Sequence, residues 1–83
     1  MKKEVLLTEY IIKEMSSLPE NVSVKEFETS EEDTIQIEVM VDEKDISRII
    51  GKDGKTISAI RTIVQACSSI DEGKKVRINV DSY

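Results

Sequence analysis

The sequence predicts an α+β fold in the order helix, strand, strand, helix, helix, strand (α-β-β-α-α-β). A three-stranded mixed sheet is covered by helices on one face. Three observations carry this expectation. Thr34–Val41 and residues 74–81 alternate apolar and polar side chains with period two, as half-buried strands do. Residues 3–16 and 55–69 instead repeat apolar residues three or four apart, as amphipathic helices do. A glycine pair, Gly51 and Gly54, separates the longer of these helices from a short one before it.

In residues 3–16, Leu7, Ile11, Met15 and then Leu18 form the apolar stripe, broadened by Tyr10 and Ile12. This is a packing helix without chemistry of its own, and Pro19 prevents its continuation. Residues 22–28 read as a strand with Val22 and Val24 in phase. Phe27 falls one step off, the mark of a bulge or of the end of regular pairing. The polar, acidic run 29–33 suits a hairpin connection, so the first two strands should be antiparallel. In Thr34–Val41, Ile35, Ile37, Val39 and Val41 face one side and Gln36, Glu38 and Met40 the other.

Asp42 offers an N-cap for a helix over 43–49, with Asp45 as an acidic near-match to a capping box. Its apolar side is Ile46, Ile49 and Ile50, and Gly51 stops it. The long helix starts at Lys55 or Thr56 and ends near Ser68 or Ser69. Ile57, Ile60, Val64 and Cys67 share one face, with Arg61, Gln65 and Ser68 on the polar remainder. Ala59, Ile63, Ala66 and Ile70 make a second apolar strip, which either packs against the first helix or forms a seam with another chain. After a turn at Ile70-Asp71-Glu72-Gly73, Val76, Ile78 and Val80 point inward from the last strand. The two-helix crossover makes the second and third strands parallel neighbours.

Composition narrows the function. At 83 residues the chain reads as one domain, 1–83, whose thin core favours support from a partner chain. One cysteine, Cys67, and no histidine exclude an internal disulfide and a Cys/His zinc site. Without an imidazole there is no Ser-His or Cys-His nucleophile, so the expectation is a non-enzyme without cofactor. Glu4, Thr8 and Glu9 interrupt the apolar start, which fails as a signal peptide, and no run could span a membrane. The protein therefore reads as cytoplasmic. The net charge is -5 but polarised: residues 1–43 hold four Lys and twelve Asp/Glu, residues 44–83 eight Lys/Arg and five Asp/Glu. The glycine pair lies in the basic half, where the local field matters most to a phosphate ligand.

Ile49-Ile50-Gly51-Lys52-Asp53-Gly54-Lys55-Thr56-Ile57 joins two helices. Glycines three apart permit positive φ and close approach of another backbone. The helix that follows aims free N–H groups and a positive dipole end at the loop. With Lys52 and Lys55, these features suit a sugar-phosphate backbone. Gly54-Lys55-Thr56 shares letters with a nucleotide-binding P-loop, but Ile49 stands where that motif needs glycine, and no strand precedes the loop. Taken alone, the pair also fits a mere helical turn.

Set between two helices of a strand-helix-helix-strand unit, this stretch resembles the I-G-x-x-G signature of KH domains. The leading helix and hairpin give the type II arrangement. The resemblance extends over essentially the whole chain. From Gly51 through Ile57-Ser58-Ala59-Ile60-Arg61-Thr62-Ile63-Val64 the chain is similar to small bacterial single-domain KH proteins of the KhpA kind.

The resemblance implies a narrow groove for about four nucleotides of single-stranded RNA. The Gly51–Gly54 loop would clamp their backbone above a floor of Ile49, Ile50, Ile57 and Ile60. Backbone groups around Val76, Arg77 and Ile78 would read the bases. Tyr10, Phe27 and Tyr83, the only aromatics, lie far from the loop in sequence, so no stacking platform is expected there. Arg48, Lys52, Lys55, Lys74, Lys75 and Arg77 are candidates for phosphate contact, with Thr56 beside them. Asp53 departs from a pattern favourable to an anion, which predicts weak binding with little sequence preference. The resemblance further implies an RNA chaperone or post-transcriptional regulator. It also implies a homodimer and/or a heterodimer with a larger KH-containing protein of the Jag kind. The competing expectation is a protein-interaction subunit with a weakened loop that mainly docks to such a partner.

Overall fold

Ile35, Ile37, Val39 and Val41 are each at most 1% exposed along β2 (Thr34–Val41), which is the middle strand of the sheet. A computed structural model describes residues 2–71 and 73–83; Glu72, within the expected turn, lies outside them. β1 (Ser23–Phe27) pairs with β2 antiparallel, Val24 opposite Val39. β3 (Lys75–Ser82) pairs with it parallel, Ile78 opposite Ile37. Phe27 ends the regular pairing opposite Gln36 and is half exposed. The mixed three-stranded sheet is the one the period-two runs predict.

Three helices, α1 (Lys3–Met15), α2 (Glu43–Ile50) and α3 (Lys55–Asp71), cover one face of the sheet. Their buried side chains, among them Val5, Ile12, Ile49, Ile57, Ile60 and Val64, meet the inward residues of all three strands in one core. The opposite face carries Lys25, Phe27, Arg77 and Asn79 exposed beside half-buried Gln36, Glu38 and Met40. Among the described residues, no helix is long and apolar enough to cross a membrane.

Three local expectations are corrected, and one alternative left open is decided. In α1 the fully buried positions are Glu4, Val5, Thr8 and Ile12, while Leu7, Ile11 and Met15 are half-buried and Tyr10 is exposed. The helix is flanked on two sides, with Lys2 reaching Glu26 of β1 and Lys3 reaching Asp71 of α3. Its densest apolar stripe therefore lies off the centre of the contact. Thr8 tolerates burial because its hydroxyl donates to the Glu4 carbonyl at 2.7 Å.

Asp42 caps α2 as expected, accepting from the Lys44 N–H at 2.9 Å. Asp45, however, completes no capping box. Its buried carboxylate accepts from the Ser17 hydroxyl (2.7 Å), the Ser17 N–H (3.0 Å) and the Leu18 N–H (3.1 Å). It thereby ties α2 to the chain leaving α1. These bonds, the Ser17 hydroxyl foremost, hold the Asp45 carboxyl below its ordinary pKa against the opposing effect of burial.

α3 runs past Ser68 and Ser69 to Asp71. Serine does not stop it. The chain turns at Gly73, with φ of 71° and an N–H that donates to the Ser68 carbonyl at 2.7 Å. Ser68 itself is buried and donates its hydroxyl to the Lys74 carbonyl at 2.8 Å. Finally, Ala59, Ile63, Ala66 and Ile70 are exposed, so this strip is not spent on packing against α1.

Candidate functional site

The Gly51 N–H donates to the Ser47 carbonyl at 2.9 Å, closing α2, and its φ of 77° turns the chain away. A side chain there would meet Thr56 Oγ1 and come within 2.8 Å of the Thr56 nitrogen. Gly51 thus lets the end of α2 lie directly against the start of α3. One 3-10 turn, Lys52–Gly54, follows and is closed by Gly54 N–H donating to Gly51 O at 3.2 Å. Asp53 (φ 57°) and Gly54 (φ 72°) are left-handed too, so three of four loop residues have positive φ. Aspartate is among the few residues that enter this region readily, which accounts for its presence at position 53.

Gly54 differs from Gly51 in its surroundings. No atom lies within 4 Å of where its side chain would be, so the loop presents bare backbone to solvent. α3 begins at the next residue, with the Lys55 N–H bonded back to the Lys52 carbonyl. Lys52, Asp53 and Lys55 are exposed, and neither lysine forms an ion pair among the described residues. A positively charged helix start, open backbone and two free cations meet at one spot. An oxyanion suits it.

The contiguous residues 49–57 are gathered here in two layers. Ile49, Ile57 and Ile60 are at most 4% exposed and support the loop from the core, while Ile50 and Thr56 are half-buried at its surface. The more distant basic candidates go elsewhere. Arg48 Nη1 donates across to the Met15 carbonyl at 3.4 Å, on the α1 side of α2. Lys75 and Arg77 lie opposite Thr34 and Gln36 at the start of β2, whereas the loop follows α2 from the other end of that strand. Arg77 Nη2 is also engaged there by both Glu31 oxygens, at 3.1 and 3.2 Å.

The free edge of β3 holds what the residue pattern did not reveal. Arg61 donates through Nε and Nη2 to the Ile78 carbonyl, and Gln65 Oε1 accepts from the Val76 N–H at 2.9 Å. Gln65 Nε2 also donates to the Lys74 carbonyl at 2.9 Å. Two of the backbone groups expected to read bases therefore already have partners. The available signal was the i, i+4 spacing of Arg61 and Gln65, which puts both on the same side of α3. A surface hollow of about 520 Å³ lies on outer α1, lined by Leu6, Glu9, Tyr10, Lys13, Glu14 and Pro19, none of them a loop residue. It lacks the convergent backbone donors that the loop provides.

A glycine loop of this geometry inside β2-α2-α3-β3, preceded by α1 and β1, can be set beside known proteins. The family model described as KhpA/KhpB, KH domain matches residues 6–80. The chain belongs to the KhpA/KhpB KH-domain family. Its fold is the type II KH arrangement. The RNA-binding protein KhpA of Streptococcus pneumoniae is 41% identical over 71 residues, covering 86% of this chain and 85% of that protein. KhpA of Chlamydia trachomatis is 43% identical over 65 residues, 78% of this chain and 81% of the relative. The Thermotoga maritima protein is 35% identical over 74 residues, 89% and 93% of the two chains.

Among solved structures, Era of Aquifex aeolicus bound to GDP and aluminium fluoride superposes with a TM-score of 0.70 at 19% identity. The match covers 96% of this chain but 30% of Era. Era in complex with a segment of 16S ribosomal RNA matches equally well, with a TM-score of 0.70, 19% identity, 95% of this chain and 29% of that one. These likenesses speak to the KH fold.

Proposed function

We propose that this chain is a non-catalytic RNA-binding module that holds single-stranded RNA by its sugar-phosphate backbone at Gly51-Lys52-Asp53-Gly54. The observation that carries this reading is the loop itself: three positive-φ residues, open space at Gly54, and Lys52 and Lys55, which form no ion pair among the described residues, just before and at the start of α3. KH relatives named as RNA-binding proteins support it. With few free cations near the loop and part of the β3 edge occupied, binding is weak and reads little sequence. That behaviour suits an RNA chaperone or post-transcriptional regulator. Arg48, Lys75 and Arg77 contribute long-range attraction rather than clamping.

The exposed strip Ala59-Ile63-Ala66-Ile70 favours a second role, association with another chain. A second copy, or a larger KH-containing protein of the Jag kind, would cover it. The two roles reinforce one another, because a dimer has two weak RNA sites.

The test is titration of a labelled single-stranded RNA pool, across a salt series, with wild type and Gly54→Asp. Gly54 is preferred to Gly51 because its substitution meets no neighbouring atom. Salt-sensitive binding by wild type, lost in the folded variant, is the expected result. Equal binding by both, or none by either, would leave partner docking as the function.

A further inference from the structure

The sheet face turned away from the helices carries a trough that the glycine loop does not use. Period two along β1 and β2 sets Ser23, Lys25 and Phe27 beside Met40, Glu38 and Gln36 on that face. Tyr83 follows β3 and donates its N–H to the Val41 carbonyl at 3.2 Å, which holds it at the far end of β2 from Phe27. Phe27 (52%) and Tyr83 (66%) are exposed although both are large aromatics. With Ser23, Lys25, Glu38 and Met40 they line a hollow of about 380 Å³. From Phe27 to Ser23 the strand rises about 13 Å, enough for a few residues of an extended peptide.

Glu38 stands in the middle of this trough. Gln36 Nε2 and Asn79 Nδ2 both donate to its Oε2, at 2.7 and 3.0 Å. The carboxylate is thereby held in place, while Oε1 has no hydrogen-bond partner among the described residues. Phe27 also borders a second hollow, which carries Glu26, Glu28, Glu31 and Glu32. Lys2 pairs with Glu26 and Arg77 with Glu31, whereas Glu28, Glu32 and Glu38 form no ion pair among the described residues. Together the two linings hold five carboxylates and three lysines, so the field repels a phosphate chain and attracts a cation. Lys25 is exposed, and its stem can follow the wall with the ammonium in water. Aromatic walls around a fixed carboxylate suit a guanidinium best. It stacks on a ring face while donating in its own plane.

We propose that this face docks an extended, arginine-rich segment of a partner protein. One arginine lies in the trough between Phe27 and Tyr83, its guanidinium donating to Glu38 Oε1. The segment leaves past Phe27, where its next basic side chains meet Glu28 and Glu32. Alternate residues of an extended peptide point the same way, about 7 Å apart, so arginines at every second position reach the trough and the acidic hollow in turn. The three helices lie on the other side of the sheet, so the docked segment leaves the glycine loop open. The inference does not depend on RNA binding at that loop.

The test titrates short synthetic peptides of alternating Arg-Gly, Lys-Gly or Glu-Gly into the isotope-labelled full chain and follows its amide shifts by NMR. The Arg-Gly peptide should move residues 23–28, 36–40 and Tyr83 and leave residues 51–56 in place. It should bind about fivefold or more tightly than Lys-Gly, whose ammonium stacks less well, and Glu-Gly should not bind. Glu38→Gln and the double variant Phe27→Ala with Tyr83→Ala should each weaken Arg-Gly binding about fivefold or more. Circular dichroism verifies folding. Tyr83→Ala alone, beyond the end of β3, serves if the double variant unfolds. Equal binding of Arg-Gly and Lys-Gly that ignores both variants would reduce the effect to bulk charge and overturn the proposal. So would the absence of shifts in the trough with either basic peptide. Tetrauridine moving the trough residues would make nucleic acid the occupant, and trough shifts on dilution without peptide would make it a second copy; either result would overturn the proposal.

Discussion

Arg61 and Ile78, seventeen residues apart, are joined by two hydrogen bonds, the guanidinium Nε and Nη2 donating to one carbonyl at 3.1 and 2.9 Å. The contact fastens α3 to the outer edge of β3. Gln65, one turn further along, does the same to the Val76 N–H and the Lys74 carbonyl. An open strand edge invites pairing with other chains, and these two side chains close part of it.

Arg61→Ala should therefore destabilise the fold by about 1–2 kcal/mol, since charge-assisted bonds are lost but the carbonyl regains water. In thermal unfolding each kcal/mol appears as a fall of about 4–8 °C for a domain of this size. Gln65→Ala has a more local signature. The Val76 amide should exchange hydrogen faster, while amides of β3 bonded into the β2 ladder keep their protection.

The pH dependence of stability should carry the mark of Asp45. Its folded pKa is lowered, chiefly by the Ser17 hydroxyl, then by the backbone N–H groups of Ser17 and Leu18 with Arg48 nearby. A depressed carboxylate stabilises the fold above its unfolded pKa of about 3.9 and loses that contribution as pH falls toward the folded value. Urea unfolding of wild type and Asp45→Asn between about pH 6 and 2 should show a gap that closes on acidification. A gap independent of pH would mean that the loss is one of packing and not of charge.

The two loop glycines should separate in their cost. Gly51→Ala incurs both an unfavourable φ and a collision with Thr56, together about 2–4 kcal/mol. Gly54→Ala, with nothing near it, incurs the φ term alone, about 1–2 kcal/mol. Denaturant midpoints measure the difference. Equal costs would show that Thr56 yields easily and that the approach of α2 to α3 is not set by Gly51.

What the residue pattern disclosed and what it concealed divide by range. The alternation in Thr34–Val41, the Asp42 cap and the glycine loop depend on neighbours within a few positions, and each was readable. Asp45 looked like part of a capping box because its true partners, Ser17 and Leu18, are 28 and 27 residues away. Arg61 and Gln65 looked like an idle polar side for the same reason. In α1 the apolar periodicity was correct, but its phase was not. A helix touching both a sheet and another helix has more than one buried flank, and periodicity alone does not rank them.

Asp53 offers the sharpest test of what limits binding at the loop. It stands between Lys52 and Lys55, exposed, in a left-handed conformation (φ 57°, ψ 26°) that aspartate and asparagine both adopt. Asp53→Asn thus removes the charge and keeps the backbone, whereas glycine would alter both. At about 6 Å in solvent a unit charge acts on a phosphate by less than 1 kcal/mol, so RNA affinity should rise about two- to fivefold in dilute salt. Screening should shrink the gain as ionic strength increases, with unfolding midpoints unchanged. An equal gain at every salt concentration would point to a freed hydrogen-bond donor instead. No gain at all would mean that the strand passes the far side of Gly54, where the loop is bare backbone.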